Sequence, residues 1–185
     1  AQLERVTDVL VKGNTLANAT TRQLSLSLTR DAAAAANIVG KSIEEVVAVL
    51  GVMADKGIKA ELAGNAFGRA IRLLIGSTHK AADVHKKLNF HVYDGTGKMR
   101  HFADIVEDLE KLLGPMSDRM RGATLKALGF EVRMQQAILP LIGTSQKIRQ
   151  NYADLRDAST KGFSTRTATK QMASFTNQVS RMTNT

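Results

Sequence analysis

The chain has no cysteine and no tryptophan, only two prolines, and aromatic residues at 4% of its length. The missing cysteine excludes disulfides, thiolate metal sites and a Cys nucleophile, and leaves the compartment open. Scarce proline favours long helices, and scarce aromatics leave a core to be built from Leu, Ile, Val, Ala and Met. Long apolar runs are missing too. The longest reaches only from Val46 to Ala54, far short of the roughly 18 residues that a membrane span requires. No signal-peptide pattern opens the sequence, and a start at Ala1 rather than Met reads as an excised piece of something longer.

Acids are absent after Lys161, where Lys161, Arg166, Lys170 and Arg181 stand alone. The net charge of +9 is therefore uneven. Residues 1–130 hold 18 basic and 14 acidic side chains, and residues 131–185 hold 8 and 3. Such a bias suits a solvated tail, contact with an acidic protein surface, or non-specific contact with nucleic acid.

What is present is mostly helical period. Leu3, Val6 and Leu10 share one face of a first helix that Gly13-Asn14 should close. Leu24, Leu28, Ala32, Ala35 and Val39 form a second row through the alanine run 32–36, the best helix former there is. Ser42 and Glu45 read as a capping box ahead of the stripe Ile43, Val46, Val47, Leu50 and Met53. Gly57 ends that helix. The next, from about Ala60 to Ile75, carries Ala63, Gly64, Ala66, Gly68 and Ala70, small residues that admit a second helix closely and mark a surface for self-association. Ser77 should cap a short helix to Leu88. Phe102, Ile105, Val106, Leu109, Leu112 and Leu113 make the strongest amphipathic pattern, broken by Gly114-Pro115. Ser117 caps a helix ending at Gly129, and Pro140 should bend or stop the apolar helix 131–142. Met53, Met116, Met120 and Met134 fall on apolar faces and read as core.

Between these helices, Leu88 to Phe102 shows a period of two. Phe90 and Val92 run into Asp94-Gly95-Thr96-Gly97, with Lys98 to Arg100 as the return, which predicts a small β-hairpin near 90–100. From Thr144 the apolar residues thin to Ile148, Tyr152 and Leu155. Beyond them Ala168, Met172, Phe175, Val179 and Met182 alternate spacings of four and three, the seam of a coiled coil. The expected fold is mainly α: a compact domain of about six to eight helices with one hairpin over residues 1–143, then a basic helical or flexible extension over 144–185.

No catalytic, cofactor-binding or metal-binding residue is expected, and no cofactor. Asp94-x-Thr96-x-Lys98 starts like a calcium loop, but Lys98, Met99 and Ile105 stand where a ligand, a glycine and a glutamate are needed. Gly95-Thr96-Gly97-Lys98 lacks the spacer of a phosphate loop. His79, His85, His91 and His101 have no metal spacing, although His91 and His101 approach each other across a hairpin base. No serine lies in a nucleophile elbow.

Two stretches, SIEEVVAVLGVMADKGIKAELAGNAFGRAI (Ser42 to Ile71) and KKLNFHVYDGTGKMRHFADIVEDLEKLLGPMSDRMRGATLKALGF (Lys86 to Phe130), resemble the core domain of bacteriophage tail tape-measure proteins. Gly57-Ile58-Lys59 with Ala63-Gly64 is similar to the family's turn and helix start. Asp94, Gly97, Lys98 and Met99 match its hairpin. Asn65 and the order Gly129-Phe130 depart from its usual pattern, at no catalytic position. The resemblance implies a non-enzymatic structural part of a phage or prophage tail, which helps set tail length and assists genome ejection. It implies location in the virion, with host cytoplasm during assembly. The implied partners are tail tube, tail tip or baseplate proteins, assembly chaperones, further copies of itself and transiently phage DNA, with no small-molecule substrate. A basic helical nucleic-acid-binding module and a protein adaptor remain open beside it.

Overall fold

The helix α4 (Ile43–Asp55) is buried along its whole length from Glu44 to Ala54, as a helix apolar on every side must be. Around it, a computed structural model that describes residues 2–76, 79–157 and 160–183 places the remaining elements. They are α1 (Gln2–Leu16), α2 (Thr21–Ser27), a π-helical turn (Leu28–Ala32), α3 (Ala33–Ile38), α5 (Ala60–Ile75), α6 (His79–Lys87), α7 (Phe102–Leu113), α8 (Asp118–Ala127), α9 (Val132–Ile138), a 3-10 turn (Leu139–Leu141), α10 (Ser145–Arg156) and α11 (Phe163–Thr183). With the continuous run Thr21 to Ile38 taken as one, that makes ten helices among the described residues, eight of them within residues 1–143, where six to eight are expected.

α4 packs chiefly against α10 and α1, which also touch each other, and more lightly against α5 and α2. The α1 helix does not end at Gly13. It runs on to Leu16, and Gly13 is buried because a Cβ there would lie 2.7 Å from Val47 Cγ1. Glycine here permits close approach of two helices; it does not act as a stop. The Thr20–Gln23 pair forms a complete capping box at the start of α2, a signal overlooked in the sequence. At α4 only half of the expected box forms. Ser42 Oγ accepts from Glu45 N at 3.3 Å, while the Glu45 carboxylate turns elsewhere.

The small-residue face of α5 is not a free surface. The run through α2 and the π-helical turn lies against it so closely that a Cβ on Gly64 would collide with Ser27 O, and one on Gly68 with the Asp31 carboxylate. Ser27 Oγ seals the contact by donating to Ala60 O at 2.7 Å. Arg72 grips both carboxylate oxygens of Asp31. The seam read as a self-association surface is thus filled by the chain's own second helix.

No hairpin of paired strands forms among the described residues. A single antiparallel bridge, Tyr93 with Met99, is all that the period-two stretch produces. Arg100 N donates to Val92 O at 2.9 Å and Asp94 N to Lys98 O at 2.8 Å. Two side chains stop the ladder there. Asp94 Oδ1 collects Thr96 N, Thr96 Oγ1 and Lys98 N, and Lys41 Nζ takes the carbonyls of Met99 and Arg100. Phe90, Val92 and Met99 are buried beneath the turn, so the alternation was real even though the strands are not.

The later helices follow their signals with three adjustments. Ser117 stands at the α8 N-cap without a side-chain hydrogen bond, and Ser77 lies outside the described residues. Pro140 converts the end of α9 to a 3-10 turn. Met53 is core and Met116 and Met134 pack against it, but Met120 is 56% exposed. A larger correction concerns residues from 144 onward. The α10 helix belongs to the packed body, with Ile148, Asn151 and Leu155 buried against α4 and α7. Only α11 leaves that body: every side chain from Ala168 to Ser180 is exposed.

Candidate functional site

The turn that replaces the hairpin is held by one buried carboxylate. Glu45, 4% exposed, accepts at a single oxygen, Oε1, from Phe102 N at 2.8 Å, with Lys41 Nζ and His101 Nδ1 both 3.3 Å away. Phe102 is the first residue of α7, so a carboxylate from α4 fills an otherwise orphan donor at another helix's start, where negative charge is favoured. Lys41 Nζ donates to Met99 O and Arg100 O at 2.9 and 2.8 Å and sits 5.3 Å above the Phe102 ring. That ring packs edge-on against Phe67 of α5 at 5.0 Å. Two charges that would each be costly alone are thereby neutralised and used as a rivet.

Beside this rivet lies an open cleft of about 1270 Å³, rimmed by Ile38, Ile75 and Tyr93 and floored by Lys41, Glu45 and Arg100. Its polar floor is already spent. Arg100 donates to His91 O at 2.8 Å and to Asp108. Arg149 on α10 pairs with Asp104 at 2.6 Å and with Glu107. Lys111 and then Arg149 hold the Glu107 carboxyl down to about 2. These pairs join α7 to α10 and to the turn, and none is arranged as nucleophile and base.

The histidines serve separately. His85 is buried, with Nε2 3.2 Å from Leu128 O and its ring on Phe90. His91 bonds Asn89, and His101 sits by Glu45 and Tyr152. His91 and His101 thus turn to different partners, and the side chain of His79 lies outside the described residues. Among the described residues no group of three or more His, Asp or Glu is placed to hold a metal. The Asp94 loop uses its carboxylate on its own backbone.

A second constellation joins the body to α11. Asp8, on α1 and 5% exposed, accepts from Gly162 N at 2.7 Å, Ser164 N at 2.9 Å and Ser164 Oγ at 2.5 Å. It caps, from more than 150 residues away in sequence, the helix that projects. Burial pushes its carboxyl up, but the bonds from Ser164 and Gly162 outweigh this and hold it below the ordinary value. Lys12 lies 4.9 Å over the Phe163 ring on the same side. Beyond this clamp Met172, Phe175 and Val179 are exposed on one face of α11; the side chain of Met182 lies outside the described residues. Sequence reading found the stripe but not its clamp, since Asp8 looks like any polar-face acid.

The model of the phage-related minor tail protein family matches residues 1–129, from α1 through α8 and including the Glu45 rivet. The tape measure protein of Pneumococcus phage Dp-1 is 27% identical over 127 residues, which is 69% of this chain and 11% of that relative. The chain thus spans about a tenth of that protein's length. No solved structure matches it. Among the described residues no helix is long and apolar enough to cross a membrane. With the family match covering well over half of the sequence, the chain belongs to the phage-related minor tail protein family.

Proposed function

We propose that this chain is a segment of a tail tape-measure protein, a structural part of the phage tail that helps set tail length and assists genome ejection. The observation that carries the reading is its likeness to a protein named for that role, of which it spans only a small part. A ruler must be far longer than this chain. At 1.5 Å per helical residue, 185 residues reach at most about 280 Å. The helical body would then be one folded station on a longer chain, and α11 the direction in which a rod leaves it. On this reading the body works by packing, with Glu45, Lys41 and Asp8 as structural groups and no catalysis or cofactor. Tube, tip or baseplate proteins and assembly chaperones are its partners in the virion and, during assembly, in the host cytoplasm.

Peptide mass spectrometry on density-purified particles tests this. Peptides of this chain together with flanking sequence, at a few copies per tail, are the expected result. Absence from particles, with the chain abundant in the soluble fraction, would refute it.

A second reading, non-specific nucleic-acid contact, is favoured by one observation. Arg166 and Lys170 are exposed on α11 in a stretch without acids. It predicts DNA binding that falls steeply with salt and is lost when residues 161–185 are removed.

A further inference from the structure

Glu44 is 5% exposed, yet only one of its two carboxylate oxygens is satisfied. Arg5 of α1 places Nε 2.7 Å and Nη2 2.6 Å from the same atom, Oε1. Oε2 is enclosed and finds no hydrogen-bond partner among the described residues. Leaving a buried carboxylate oxygen without a donor is costly, so the arrangement points to a donor from outside the chain. Glu44 lies on the wall of a cleft of about 800 Å³, lined by α1, the start of α4, the end of α10 and the clamped first turn of α11. The lining favours one kind of guest. The Thr160 hydroxyl donates to Asp154 O at 3.0 Å and the Ser164 hydroxyl to Asp8, so each keeps lone pairs but has no proton left to offer. Asp8 is saturated by Gly162 and Ser164. Val9 and Leu155 supply apolar wall. Of the bases on the lining, Arg5 is held by Glu44, Arg156 lies over the Tyr152 ring and Lys161 is exposed. An anion entering here would meet two buried carboxylates.

We propose that this cleft binds a primary alkylammonium, the head group shared by free aliphatic amines and the lysine side chain. An ammonium brings three N–H donors and no acceptor. Glu44 Oε2 and the Thr160 and Ser164 hydroxyl oxygens are the acceptors, and Val9 and Leu155 receive the alkyl stem. A carboxylate gains most from a donor that itself carries charge. A metal ion fits less well, because among the described residues no group of three or more His, Asp or Glu is placed to hold one. Arg5 is the gate. Its side chain is 62% exposed, and it swings aside to uncover Oε2. Because the lining includes both α1 and the base of α11, an occupant also ties α11 more firmly to the body. The site stands apart from the proposed tail role.

Amide-resolved NMR on the full chain, titrated with n-butylammonium chloride, is the test. Tetramethylammonium chloride at equal concentration carries the same charge without an N–H and is the control. The native chain should show saturable shifts at the amides of Val9, Glu44, Thr160 and Ser164. The affinity should be about millimolar, in keeping with so few non-hydrogen atoms, and tetramethylammonium should give no such response. Arg5→Ala should bind several-fold more tightly, since an exposed guanidinium no longer competes for the carboxylate. Glu44→Gln keeps the shape without the charge and should lose the response. The native titration decides the matter even where a variant does not fold. Acetyl-lysine methylamide separates the sources: shifts at the same amides point to a lysine of a partner protein, and their absence beside a butylammonium response points to a free amine. Both support the site. No saturable shift in the native chain would show that Arg5 or water serves Oε2 and would overturn the proposal. So would equal shifts with tetramethylammonium, or an undiminished response in a folded Glu44→Gln chain.

Discussion

Two helices of this protein offer narrow, regular faces for another helix, and they meet opposite ends. The face of α5 is small, with glycines at 64 and 68, and the chain's own α2 and π-helical turn press onto it until backbone nearly meets backbone. The face of α11 is large and flexible, with Met172 and Phe175, and nothing in the body covers it. A small-residue groove rewards a rigid neighbour that is already tethered nearby, because contact there depends on close geometry and little side-chain entropy is lost. A stripe of long side chains beyond a clamped turn has no tethered neighbour. The same chain therefore spends one face on its own fold and leaves the other exposed.

The largest effect that would sharpen this contrast lies in the body. Glu45→Ala leaves Lys41 buried and without its carboxylate, at a cost of about 3–5 kcal/mol, read as a lower urea midpoint. Next comes Gly64→Ala. Alanine raises helix propensity by up to about 1 kcal/mol, but its methyl has no room against Ser27 O. Overpacking of that kind costs about 1–3 kcal/mol or more, so a net loss is expected. A gain in stability would show that α2 does not lie where the structure places it.

Asp8→Asn should cost about 1–2 kcal/mol, the range for loss of a helix cap, and should raise protease cleavage at 160–168 before the body is cut. The sign with pH follows from the lowered carboxyl. The clamp's contribution is complete above the unfolded value, near pH 4, and is lost as pH falls through the lower folded value. In Asp8→Asn that acid-dependent step should vanish. Smallest of all, Phe175→Asp should change the body's stability by less than about 0.5 kcal/mol. Ala60→Gly has the opposite sign. Ala60 opens α5 at φ +51°, a conformation that costs a residue with a Cβ roughly 1 kcal/mol, and glycine should recover part of that.

Much of this architecture was legible in the residues. α4 announces itself by its Ser42 cap and clean stripe and α7 by its stripe alone, and Gly57, Gly129 and Pro140 stop or convert helices as their chemistry requires. What stayed hidden was long-range. Glu45 signals a local box with Ser42, and nothing nearby says that its carboxylate will cap α7 instead. Asp8 and Ser164 have no sequence relation. From sequence α10 reads as part of an extension because a buried Asn151 counts as polar in any periodicity, although Ile148 and Leu155 are in register. The period of two at Phe90 and Val92 correctly marked buried alternation. It could not reveal that Lys41 and Asp94 would consume the bonds a ladder needs.

Backbone amide hydrogen exchange on the dilute full chain tests most directly the claim that one face is spent and the other open. Amides of α4 and of α5 around Gly64 and Gly68 should exchange slowest, and those from Ala168 to Ser180 should exchange fast. Protection of α11 equal to that of α4 at high dilution, or exchange in α5 as fast as in α11, would contradict it.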